Sequence, residues 1–84
     1  MKVELTEKAF QQLEKLSPKI QARIVNKLEF YSQQTDPLYF AKHLSGIRAY
    51  RFRIGEYRII FETNKRTMQV LLIVKRDKAY KDLV

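Results

Sequence analysis

The chain has 84 residues, 45% of them apolar, and carries 17 Lys and Arg against 9 Asp and Glu, a formal net charge of +8. It has no cysteine and a single histidine, His43. This excludes a disulfide framework, a thiolate metal site, a cysteine nucleophile and any mechanism that needs two histidines of one chain.

The length suits a single domain spanning residues 1–84, with a core that buries a modest fraction of its surface. No window approaches the roughly 20 apolar residues of a membrane span, and no signal peptide opens the chain. A soluble, cytoplasmic protein without a membrane partner is therefore expected. A strong positive field on so small a surface makes a polyanion the first partner to consider. The charge is also uneven: residues 1–47 hold seven basic and five acidic side chains, whereas residues 48–84 hold ten and four.

Residues 1–5 alternate and read as a short strand with Val3 and Leu5 inward. Thr6 is placed as a helix N-cap, with Glu7 in the first turn where the helix dipole favours an anion. Ala9, Phe10, Leu13 and Leu16 recur at helical spacing, which predicts a first helix over residues 7–16. Ser17–Pro18 is an N-cap followed by proline at the first helical position, so a second helix starts at once. Its apolar stripe is Ile20, Ile24, Leu28 and Tyr31, and it fades near Ser32 or Gln33. The short joint predicts an antiparallel helical hairpin. Residues 34–46 read as a connection with turn signals at Asp36–Pro37 and Leu44–Ser45–Gly46. Leu38, Tyr39 and Phe40 are expected to tuck against the core, and His43 reads as a structural loop residue.

After Gly46 the period changes to two. Ile47 to Ile54 is a strand, Gly55–Glu56 a two-residue turn, and Tyr57 to Glu62 the return strand. Residues 63–67 form the next turn. Met68 to Val74 is an apolar run suited to a central strand, and residues 76–84 read as a short helix or tail. The expected fold is α+β: an N-terminal strand, a two-helix hairpin, then a three-stranded antiparallel meander, all in one sheet with the helices on one face.

The hairpin register carries the first functional inference. A two-residue turn sets Ile54 opposite Tyr57, Arg53 opposite Arg58, Phe52 opposite Ile59 and Arg51 opposite Ile60. The apolar set meets the helices, and Arg51, Arg53 and Arg58 share the other face. Like charges directly opposite on a sheet are destabilising, and the core does not require them. They suit an anion, because guanidinium groups recognise phosphate in a planar, bidentate manner; the plain alternative is a solvated basic face relieved by Glu56 or Glu62. Further on, Arg76 and Tyr80 are spaced to share one side of a helical turn and lean back toward the sheet. Cations beside Tyr80 would favour its phenolate; the plain alternative is an amphipathic cover residue.

These residues resemble a known family. Leu44–Ser45–Gly46, the run from Tyr50 through Arg51, Phe52, Arg53, Ile54, Gly55, Glu56, Tyr57 and Arg58 to Phe61, and Val74–Lys75–Arg76 with Tyr80 are similar to the RelE/ParE superfamily of toxins. The likeness covers nearly the whole chain. It implies a RelE-like fold and a toxin of a type II toxin–antitoxin pair, with a cognate antitoxin as partner. RelE-like members are ribosome-dependent mRNA endonucleases that act without metal or cofactor, through attack of the substrate's 2′-hydroxyl. The resemblance places Arg58, Arg76 and Tyr80 as catalytic residues and Arg51, Arg53 and Lys75 as RNA- and phosphate-binding residues. Lys75 stands where many members carry histidine. An ammonium is a poorer proton shuttle at neutral pH, which leaves Tyr80, Arg76 and Lys75 to share that work. Two alternatives share the fold: a ParE-like inhibitor of DNA gyrase, which makes no covalent change, and a non-catalytic RNA-binding module.

Overall fold

Two N-caps set the helical layer. The Thr6 hydroxyl accepts from the Ala9 amide at 3.1 Å and opens α1, Glu7–Glu14. The Ser17 hydroxyl accepts from the Ile20 amide and opens α2, Pro18–Ser32, with proline at its start. The computed structural model describes residues 1–75. Its strands are β1 (Lys2–Leu5), β2 (Lys42–His43), β3 (Tyr50–Ile54), β4 (Tyr57–Thr63) and β5 (Thr67–Lys75). A single 3₁₀ turn, Pro37–Phe40, lies between α2 and β2. The five strands form one sheet in the order β1-β5-β4-β3-β2. β1 runs parallel to β5, and the other pairs are antiparallel.

The expected α+β architecture is present, with differences in detail. α1 ends at Glu14 rather than residue 16. Pro18 holds Ser17 out of the helical region, so the chain must leave α1 early. The Gln21 side-chain amide then donates to the Leu16 carbonyl at 2.8 Å and the Glu14 carbonyl at 3.3 Å, satisfying the helix end.

The connection over residues 34–46 is more ordered than its turn signals suggest. In a 3₁₀ turn successive side chains point about 120° apart, so Leu38, Tyr39 and Phe40 cannot all tuck inward. Leu38 packs on the core. Tyr39 is 80% exposed, and Phe40 is partly exposed while stacking on Tyr31 at 4.9 Å.

β3 begins at Tyr50 rather than Ile47. The Leu44 amide donates to the Ala49 carbonyl at 2.9 Å, with Gly46 at a φ of 82°, so residues 44–49 close a loop instead of extending the strand. That loop carries Leu44 and Ala49 into a second apolar cluster with Ile60 and Leu72. The main core lies between helices and sheet, where Ile24, Leu28, Phe52, Ile59, Phe61, Met68 and Val70 are fully buried. A register shift makes room for both clusters: Ile60 pairs with Leu72 but Phe61 pairs with Val70. Leu71 is thus an extra residue on β5, a β-bulge, and it packs with the second cluster.

β1 stops at Leu5, opposite Val70, so β5 beyond that point needs other cover on this edge. α1 supplies it. The Thr6 amide donates to the Val70 carbonyl, the Thr6 hydroxyl to the Leu71 carbonyl, and the Ile73 amide to Gln12 Oε1 at 2.7 Å. A helix thereby closes what would be an open strand edge. Among the described residues no helix is long and apolar enough to cross a membrane.

Candidate nucleic-acid interface

The β3–β4 ladder has the register read from the Gly55–Glu56 turn: Ile54 opposite Tyr57, Arg53 opposite Arg58, Phe52 opposite Ile59, Arg51 opposite Ile60. Gly55 takes a φ of 60° in that turn. Side chains alternate along a strand. Phe52, Ile54, Tyr57, Ile59 and Phe61 therefore enter the core under the helices, and Arg51, Arg53 and Arg58 stand together on the other face.

That face has an apolar floor. Ile60 and Leu72 are buried in it, and Val74 pairs with Arg58. Arg53 is exposed, whereas Arg51 and Arg58 are half-buried. Arg51 Nε and Arg58 Nη1 are shielded from solvent. Guanidinium groups beside buried apolar residues sit in a setting of reduced dielectric, where charge-assisted hydrogen bonds are strong. Neither Glu56 nor Glu62 forms an ion pair among the described residues, so neither carboxylate relieves the Arg53–Arg58 juxtaposition that way.

The sheet adds a cation that the sequence reading missed. Lys42 on β2 pairs with Arg51 on β3, which puts it on the arginine face. A two-residue strand has no alternation to detect, so no pattern in residues 34–46 could have revealed it. His43 pairs with Tyr50, at a ring distance of 5.1 Å. It therefore lies on the face opposite the arginines, in keeping with a structural role. Lys75 pairs with Tyr57, so it too belongs to the opposite face, exposed at the last described position of β5. The arrangement brings Arg51, Arg53 and Arg58 together and does not bring Lys75 among them. Arg76 and Tyr80 lie outside the described residues.

Comparison with known proteins agrees with this architecture. A family model described as the ParE toxin of the type II toxin–antitoxin system, parDE, matches residues 3–80. No curated protein matches the chain significantly. Among solved structures, the RelBE2 toxin–antitoxin complex of Mycobacterium tuberculosis contains a chain 28% identical, with a TM-score of 0.74 over 89% of this chain and 90% of that one. The RelB–RelE complex of Methanococcus jannaschii aligns at 21% identity and a TM-score of 0.75, covering 96% and 99%. The isolated RelE toxin of E. coli aligns at 18% identity and a TM-score of 0.73, covering 99% and 98%. The last two likenesses speak for the fold. Because the family match runs through β1, both helices and the arginine-bearing hairpin to the far side of β5, this chain belongs to the ParE toxin family of the RelE/ParE superfamily and is a toxin of a type II toxin–antitoxin system.

Proposed function

We propose that this toxin is a ribosome-dependent mRNA endonuclease that blocks translation by cleaving RNA without a metal. The observation that carries the reading is the placement of Arg51, Arg53 and Arg58 on one sheet face, with Arg53 directly opposite Arg58. In the reaction the 2′-oxygen of one nucleotide bonds to the adjacent phosphorus as the bond from phosphorus to the 5′-oxygen breaks. The 2′-proton passes to a base and the leaving 5′-oxygen takes up a proton, giving a 2′,3′-cyclic phosphate and a 5′-hydroxyl. Negative charge builds on the pentavalent phosphorus centre, and in this reading Arg58 is the cation that stabilises it. Arg51 and Arg53 hold flanking phosphates, with Lys42 beside Arg51. By resemblance Arg76 adds a further cation and Tyr80 stacks on a base or moves a proton, whereas Lys75, on the opposite face, is left out of this set. Weak acid–base groups suit an enzyme whose substrate is oriented by the ribosome, since orientation alone supplies several kcal/mol.

The partner that restrains this activity is a cognate antitoxin. The similar chains of Mycobacterium tuberculosis and Methanococcus jannaschii come from complexes of toxin with antitoxin. A basic face calls for a partner with an acidic or amphipathic segment, and such complementarity speeds association and makes it salt-sensitive.

The match to the ParE model favours a second reading, a gyrase inhibitor that binds and performs no chemistry. Single-turnover cleavage of mRNA on programmed ribosomes, beside a gyrase supercoiling assay, separates the two. Cut mRNA with unaffected supercoiling supports the nuclease. Intact mRNA with inhibited supercoiling overturns it.

A further inference from the structure

A second cationic surface lies on the opposite side of the molecule from the arginine face. The exposed side of α2 presents Lys19, Arg23, Asn26, Lys27 and Phe30. Lys19, Arg23 and Lys27 recur every fourth residue, about 6 Å apart along the axis. Like charges at that spacing weaken a helix, and the core uses none of these side chains. Phe30 is 51% exposed, with Lys27 Nζ 5.8 Å from its ring centroid. Arg23, Asn26, Lys27 and Phe30 line a shallow cleft of about 360 Å³.

This ridge adjoins the β3–β4 turn. A Cβ on Gly55 would stand 3.2 Å from Arg23 Nη1, so the bare glycine lets the guanidinium lie against the turn. Arg53 and Arg58 form the second cross-strand pair behind the same turn, on the other sheet face. Cations therefore flank the hairpin tip on both sides, with Glu56 the carboxylate between them.

We propose that a single-stranded nucleic acid lies along α2, phosphates on Lys19, Arg23 and Lys27 and a base stacked on Phe30, and continues over the Gly55–Glu56 turn to Arg53 and Arg58. This rests on the nucleic-acid reading of the sheet arginines. A half-exposed aromatic ring among cations one turn apart suits the alternation of base and phosphate. Asn26 offers both a donor and an acceptor, as a base edge requires. An acidic peptide would use the cations, but its carboxylates offer Phe30 no base to stack on.

The test is fluorescence anisotropy with labelled oligodeoxyuridine of roughly 15 nucleotides, near the upper end of single-strand site sizes. This probe lacks the 2′-hydroxyl and is not cleaved. The double variant Arg23→Ala/Lys27→Ala should weaken binding on the order of tenfold and lower the logarithmic salt slope by about 0.7 per lost phosphate contact. Phe30→Ala should weaken it similarly, by loss of stacking, and Phe30→Tyr should restore it. Glu56→Gln should strengthen it. All these side chains are exposed, and thermal melts by circular dichroism confirm folding. Wild-type affinity and salt slope in Arg23→Ala/Lys27→Ala overturns the track. If Arg53→Ala/Arg58→Ala still weakens the probe, the sheet reading survives that loss; if it does not, both fall. Dependence on Arg23 and Lys27 for an oligoglutamate peptide but not for the oligonucleotide would make the ridge a protein-docking surface and overturn the proposal.

Discussion

Arg53 on β3 and Arg58 on β4 stand directly opposite each other, on the sheet face away from the helices. A cross-strand pair of like charges costs a few tenths to about 1 kcal/mol. The main core does not require it, since its packing is done by Phe52, Ile54, Tyr57 and Ile59 on the other face. What the ladder provides is rigidity: both guanidinium groups are mounted on paired backbone, the kind of support that holds a binding geometry.

Replacing one arginine of that pair should therefore separate stability from function. Arg53→Thr removes the repulsion and keeps a good strand former. It should raise the free energy of unfolding by up to about 1 kcal/mol in urea titration, while weakening ribosome binding and lowering the salt slope by about one unit. A less stable Arg53→Thr protein would show that the pair is not repulsive in its setting.

Arg58→Ala tests charge stabilisation in the reaction. It should lower the single-turnover cleavage rate on programmed ribosomes by about 100-fold to 1000-fold, with a much smaller change in ribosome affinity. Arg76→Ala should behave alike. Wild-type rates in both would remove the proposed site and favour gyrase inhibition.

Tyr80 offers a choice between two roles. If its hydroxyl moves a proton, Tyr80→Phe should cut the cleavage rate at unchanged binding. If the ring only stacks on a base, Tyr80→Phe should be nearly silent and Tyr80→Ala damaging, because stacking contributes about 1–3 kcal/mol per base. Rates and affinities measured side by side decide between them.

Toxicity should depend on the partner. Expression of this chain alone should arrest growth, and co-expression of its antitoxin should restore it. Unimpaired growth at good soluble expression of the lone toxin would count against the antitoxin reading.

The edge of β5 makes a prediction about stability. Gln12→Leu keeps the approximate size but removes the acceptor for the Ile73 amide. Leaving a half-buried donor unsatisfied should cost about 1–3 kcal/mol, read as a lower urea midpoint at unchanged m-value. Phe52→Ala should cost more, about 3–5 kcal/mol, because this fully buried ring stacks on Phe61 at 4.3 Å and contacts Tyr31 at 4.4 Å.

The sequence by itself determined the parts of this protein whose causes are local. Thr6 and Ser17–Pro18 set where the helices begin, since capping and the proline ring act within one turn. Gly55–Glu56 set the hairpin register, and with it the shared face of Arg51, Arg53 and Arg58, because strand alternation leaves no freedom once the turn is placed. Tertiary structure alone decided what depends on partners distant in the chain. The parallel pairing of β1 with β5 and the Gln12 bond to the Ile73 amide join residues some 60 positions apart, and no local pattern encodes such pairs. The same holds for Lys42, which joins the arginine face only because a two-residue strand finds β3, and for Lys75, whose pairing with Tyr57 sends it to the other face. Arg23 against Gly55 is the last case: a helix and a turn, each legible alone, meet only because the core between them sets their distance.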